Sequence, residues 1–236
     1  MTVFDLDAIP QRRAPSPRVG GAAVALGAVG VVAVSALYAI SPPAAALPAQ
    51  PFQLAEALRG ALDGATTMHA AGAIGVVSDI VLAVGGALVA TIVVQRGDIL
   101  AGAGWIAVTL ASLLFTFVDA MVGFVLTPLA AAADGGGAFL GFKRLFDALF
   151  LLSTIALSVG AALALSREIA ASSLALGKIL PAVGVAASAA GLLASIACCL
   201  GLPAEQGVGA SVAASAIVFA LIGWRLASAP RATPTR

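Results

Sequence analysis

Charge is scarce in this 236-residue chain: Asp, Glu, Lys and Arg make up only 10% of it. Soluble globular domains carry about a quarter. The shortage excludes a disordered chain and an ordinary soluble enzyme. The net charge of +1 gives no bulk field to steer an anionic partner. The 12 basic residues are scattered, so no nucleic-acid face is expected. There is one histidine, His69. A single histidine excludes a bis-histidine haem site and a His-Glu-x-x-His metal pair. The two cysteines, Cys198 and Cys199, are adjacent, which excludes a disulfide framework and a zinc site. They read as small buried apolar residues. Lys143 and Lys178 lie near helix ends, so no mid-span lysine is there to carry a Schiff base. No cofactor is expected.

What is abundant is apolar surface, at 61% of residues. Six runs approach the roughly 20 residues that cross a bilayer. They fall at about 19–40, 73–94, 105–126, 145–166, 179–200 and 209–228. The fold class that follows is all-α, a polytopic six-span bundle. Arg12, Arg13 and Arg18 lead into the first run, and Ala44, Ala45, Ala46 and Ala49 follow it, as in a signal peptide. The run exceeds the roughly 7–15 apolar residues of a signal, so it reads as an uncleaved anchor. The 99–133 run exceeds one membrane thickness, so part of it lies outside or tilts. Trp105 marks one interface there and Pro128 the far end. Residues 41–72 form a long loop. Within it, 52–66 reads as an amphipathic helix with Phe52, Ala55, Leu58 and Leu62 on one face. It lies either on the membrane surface or as a cap over the bundle. Residues 1–18 and 229–236 are polar tails, and Asp134 opens a glycine-rich loop.

Positive charge sets the orientation. With both termini cytoplasmic, nine basic residues lie inside: Arg12, Arg13, Arg18, Arg96, Arg167, Lys178, Arg225, Arg231 and Arg236. Three lie outside: Arg59, Lys143 and Arg144. The expected location is a bacterial-type inner (plasma) membrane. The expected partners are the lipid bilayer and either other membrane subunits or a homo-oligomer. The stretch 80–88 is similar to 155–163, which either duplication of a helix hairpin or chance in so apolar a chain explains.

Three carboxylates fall inside spans: Asp79, Asp119 and Asp147. Each costs about 2.5–3.5 kcal/mol at mid-bilayer on insertion scales, so such residues normally face the bundle interior. At 1.5 Å per residue, Asp79 and Asp119 both lie roughly 9–10 Å below the outer face. If they face each other, repulsion and desolvation oppose ionising both, and a shared proton follows. Proton-coupled carriers use intramembrane acids in this way. Asp147 has Lys143 and Arg144 within helical reach. His69 lies above the second span, as an interface residue or a ligand. The candidate polar site is therefore Asp79, Asp119, Asp147, His69, Lys143 and Arg144, in the outer half of the bundle. Two helical stripes accompany it. Thr109, Ser112, Thr116 and Gly123 share a face with Asp119; Ser188, Gly191, Ser195 and Cys198 share another. They are either packing seams or cavity lining.

No catalytic constellation emerges. Asp63-Gly64, Gly75 and Asp79 echo part of the alcohol phosphatidyltransferase motif. Gly60, Met68 and Ala83 stand where that motif needs Asp, Arg and Asp, so its metal site fails. An arginine-led first span, a long outer loop, Leu180-Pro181 opening the fifth span and Ile222-Gly223-Trp224-Arg225 closing the last complete the layout. In these features the chain resembles an uncharacterised bacterial family of multi-span membrane proteins, a domain of unknown function. The resemblance implies a fold and no activity. Three functions are open: a small carrier or ligand-binding protein with a polar site in the outer half, a structural or accessory subunit of a larger membrane complex, and a lipid- or quinone-directed enzyme. A fluorescent protein fused after Arg236 is expected to fluoresce in the cytoplasm, whereas an alkaline phosphatase fused there is expected to be inactive. The reverse pair of results would invert the orientation.

Overall fold

In a bilayer every backbone N–H and C=O must be satisfied within the protein, so an apolar chain of this kind resolves into helices. The computed structural model describes residues 16–40, 53–132, 136–172 and 174–229. All regular structure among them is helical: α1 (Pro17–Ile40), α2 (Leu54–Asp63), α3 (Ala65–Gln95), α4 (Ile99–Met121), α5 (Thr127–Ala131), α6 (Gly136–Ala171), α7 (Ile179–Cys199) and α8 (Glu205–Ser228). A π-helical turn, Val122–Leu126, joins α4 to α5 without a break. Among the described residues six helices are long and apolar enough to cross a membrane, counting α4, the π turn and α5 as one. The polar residues up to 15, the prolines 42, 43 and 48, Phe52, Asp134, Arg231 and Arg236 lie outside the described residues.

The long helices pack in chain order as a closed ring. α1 lies against α3, α3 against α4, α4 against α6, α6 against α7, α7 against α8, and α8 returns to α1. Consecutive helices run in opposite directions, so the ring has two ends. Polar side chains tie together the end where α1 begins. Arg18 donates through Nε to the Ala229 carbonyl at 2.9 Å, Arg167 pairs with Asp98 at 3.3 Å, and Arg225 donates to the Leu176 carbonyl. Asp98 also caps α4 by accepting from the Ala101 amide. Glu168 is buried, and its carboxylate accepts from the Leu174 and Leu176 amides at 2.8 and 3.0 Å. That bracing fixes the turn into α7, where Ser172 and Ala175 both hold positive φ.

The opposite end is closed by α2. Its buried face is Ala57 and Ala61, flanked by Leu54 and Leu58, and it packs on Met68, Val122, Leu126, Phe139 and Phe146. α2 is thus a cap over the bundle. The expected face is displaced: Ala55 and Leu62 are exposed. Alanines at 57 and 61 let the helix approach closely, while the bulkier leucines flank the contact. The 52–66 helix also ends early, at Gly64, whose amide bonds back to the Gly60 carbonyl at 2.9 Å. α3 starts at once, eight residues ahead of the expected span.

Two side chains depart from expectation. Trp105 is not at an interface. It is 1% exposed, in the core of the ring, with its ring 5.6 Å from that of Phe219. Its large apolar area outweighs the interfacial preference of its N–H. Cys199 is exposed, whereas Cys198 is buried as expected. Pro128 lies in the last turn of the Ile99–Ala131 helix, at the far end of that span as expected. It offers no N–H to the Phe124 carbonyl, and the wide π turn directly precedes it.

Glycine sits where helices cross most tightly. A Cβ on Gly104 would meet the Ala164 amide nitrogen at 2.6 Å, and one on Gly160 would meet the Gly104 carbonyl oxygen at 2.8 Å. Gly21 and Gly223 oppose each other in the same way between α1 and α8. Small residues of this kind let helices associate in lipid, where apolar burial alone gives little drive. Gly104→Ala is expected to lower stability by about 1–3 kcal/mol through overpacking. Gly141→Ala is the control, because a Cβ there meets nothing within 4 Å. Unfolding in detergent measures both; equal stabilities would contradict the crossing.

Candidate functional site

The interior of the ring is not filled. A cavity of about 460 Å³ lies between α1, α3, α4, α6 and α8. It runs from Phe219 in mid-bundle to Ala39 and Gln206, which are exposed toward the α2 end. Its walls are mostly apolar and include Leu82, Phe115, Phe150, Leu157 and Phe219. Its polar groups are Asp79, Asp119, Tyr38, Ser35, Ser112 and Gln206.

The two aspartates converge. α3 brings Asp79 to the wall, where it is 3% exposed. α4 brings Asp119 opposite, and the two carboxyls lie within hydrogen-bonding reach of each other. Local sequence explains the fit. Gly75 is one turn before Asp79 on the same face of α3. A Cβ at Gly75 would overlap the Asp119 carboxyl. The missing side chain is therefore the space the carboxyl occupies. One turn further, Gly72 and Gly123 bring the backbones of α3 and the π turn into contact. That crossing sets the distance between the helices that carry the acids.

Tyr38, the one tyrosine of the chain, completes the group. It projects from α1 close enough for Asp119 to act on it electrostatically. Its hydroxyl and Asp79 Oδ2 are both buried and make no hydrogen bond among the described residues. Two polar atoms left unsatisfied beside a cavity are costly, by about 1–3 kcal/mol each.

The other expected site residues lie elsewhere. Asp147 pairs with Lys143 one turn away on α6. Lys143 is fully buried, with its ammonium 4.8 Å from the Phe146 ring centroid, beneath α2. Arg144 points to the exposed face. His69 donates through Nδ1 to the Gly123 carbonyl at 3.1 Å, since a carbonyl only accepts, and meets the Phe124 ring edge-on at 5.2 Å. It serves the π turn, where the regular helical bonding pattern is interrupted. None of these four lines the cavity.

The hydroxyl stripes are largely self-satisfied. Thr109, Ser112, Thr116 and Ser188 each donate to the carbonyl four residues back, at 2.8–3.1 Å. Gly191 packs against the hydroxyls of Ser158 and Ser211. The stripe on α7 is a packing seam; on α4 only Ser112 and Asp119 also reach the cavity. Among the described residues no group of three or more His, Cys, Asp or Glu side chains is placed to hold a metal.

The convergence is directly testable. With Cys198→Ser and Cys199→Ser in place, Asp79→Cys with Asp119→Cys is expected to cross-link within one chain through a short bifunctional thiol reagent. Adding Gly75→Ala is expected to lower the yield markedly, since its methyl takes the space of the 119 side chain. Absence of the cross-link with Gly75 intact would contradict the geometry.

Compared with protein families, with curated proteins and with solved structures, the chain matches none. Any functional reading therefore rests on the cavity and its acid pair.

Proposed function

We propose that this integral membrane protein is a small ligand-binding protein or carrier, and that its site is the Asp79–Asp119 cavity in the outer half of the bundle. One observation carries the reading. Two carboxyls 40 residues apart in sequence meet on a single cavity. A structural subunit has no need of that arrangement. It would be better served by a filled interior and dispersed acids, and the replacement of buried polar groups by apolar ones is often stabilising. A lipid- or quinone-directed enzyme would need a catalytic constellation, and the sequence offers no such motif.

A site kept for function rather than for stability leaves a signature. Removing it relieves strain, so stability is held or rises. Asp79→Asn and Asp119→Asn are expected to leave thermal stability unchanged or to raise it by about 1 kcal/mol. Asp147→Asn is expected to lower stability by about 1–3 kcal/mol, because it removes the charged partner of the buried Lys143 ammonium. Thermal unfolding of the purified protein in detergent separates the two cases. A large loss in both cavity variants would mean that the pair is structural, and would overturn the reading.

A further inference from the structure

The cavity's lining is one-sided in charge. Among the described residues it carries two carboxyls and no lysine, arginine or histidine. The charged and titratable groups near the pair confirm this element by element. α1 offers Tyr38, and α3 and α4 offer the acids themselves. α6 turns Phe150 and Leu157 to the cavity while its Lys143 and Asp147 pair with each other one turn away. α7 gives no lining residue. α8 offers Gln206, with Glu205 beside Cys198 instead. Among the described residues, the acids therefore face no protein cation. The remaining wall is aromatic and aliphatic, with Phe115, Phe150 and Phe219 among it.

We infer that the cavity takes a small amphipathic organic cation, an ammonium with an apolar body, in exchange for one proton held between Asp79 and Asp119. This rests on the proposed binding function and names the chemistry of its ligand. Two neighbouring carboxylates offer only acceptors and repel each other in a low dielectric. One proton between them resolves both problems when the cavity is empty. An ammonium supplies the same positive charge. The exchange then balances: the carboxyl O–H bond breaks, its proton leaves to water at the cavity mouth near Gln206, and the ammonium pairs with the freed carboxylate. Total charge in the membrane is unchanged, so binding buries no additional net charge. The phenylalanine and tyrosine rings add attraction for the cation and cover its apolar body. The volume matches sites that hold small organic ligands, about 300–1,000 Å³. A bare alkali ion would leave the apolar wall unused.

The test uses the full chain in lipid nanodiscs and three probes of one shape. Benzyltrimethylammonium is permanently charged, N,N-dimethylbenzylamine is protonatable, and benzyl alcohol is neutral. Calorimetry in two buffers of different ionisation enthalpy counts protons. Both cations are expected to bind, the alcohol at least about tenfold more weakly, with close to one proton released per benzyltrimethylammonium bound. Affinity for that probe is expected to rise by about tenfold per pH unit while the proton is held. Asp79→Asn and Asp119→Asn are each expected to weaken it by about thirtyfold or more. The proton count needs no variant, so a misfolded mutant does not blunt the test. Failure of both cations to bind, or binding without proton release, overturns the inference. If the alcohol binds as tightly as the cations yet is lost in the Asn variants, the cavity reading stands and only the cation falls. If binding of any probe ignores both substitutions, the two readings fall together.

Discussion

Helices in a bilayer gain little by hiding apolar side chains from one another, because lipid is as apolar as leucine. What holds this ring together is close backbone approach, and glycine sets where it occurs. Gly104 against Gly160, Gly21 against Gly223 and Gly72 against Gly123 each bring two helices nearer than any side chain would permit. The third of these crossings also sets the site. It draws α3 and the π turn together one turn from Gly75, and the space at Gly75 is filled by the Asp119 carboxyl. Packing and the proposed site therefore share one seam. The interior space that the ring encloses is a consequence of closure, since α6 and α8 face each other across it rather than touching along their length.

The polar groups divide by role. At one end Arg18, Asp98, Arg167, Glu168 and Arg225 satisfy backbone carbonyls, amides and each other, fixing turns and helix ends. At the other end His69 serves the π turn, and Lys143 with Asp147 closes the region under α2. The central pair has no such structural role among the described residues. It lies deep, beside a cavity, with Asp79 Oδ2 and the Tyr38 hydroxyl unsatisfied among the described residues. Intramembrane acids of this kind are expensive, so their position points to use.

Much of this was legible in the residues. Apolar runs located six helices, because backbone satisfaction leaves no other structure for them. The matched depths of Asp79 and Asp119 follow from helical rise alone, and the Lys143–Asp147 pair from i,i+4 spacing. Other features were hidden for physical reasons. Tyr38 belongs to the cavity only because α1 closes the ring between α3 and α8, a tertiary fact that no local pattern encodes. Trp105 has the composition of an interface residue but is drawn inward by its packing on Phe219. The role of Gly75 is invisible without Asp119 beside it. His69 and Arg144 share the acids' end of the bundle by sequence depth, yet helix rotation sends them to other faces.

The central claim is that Asp79 and Asp119 hold one proton between them and give it up to a cation. Infrared difference spectroscopy reads this most directly, because a protonated carboxyl has a C=O stretch that a carboxylate lacks. Adding benzyltrimethylammonium at neutral pH should produce a negative carboxyl band, absent when Asp79→Asn and Asp119→Asn are combined. A wild-type difference spectrum with no carboxyl band, from protein shown to bind the probe, would contradict the account.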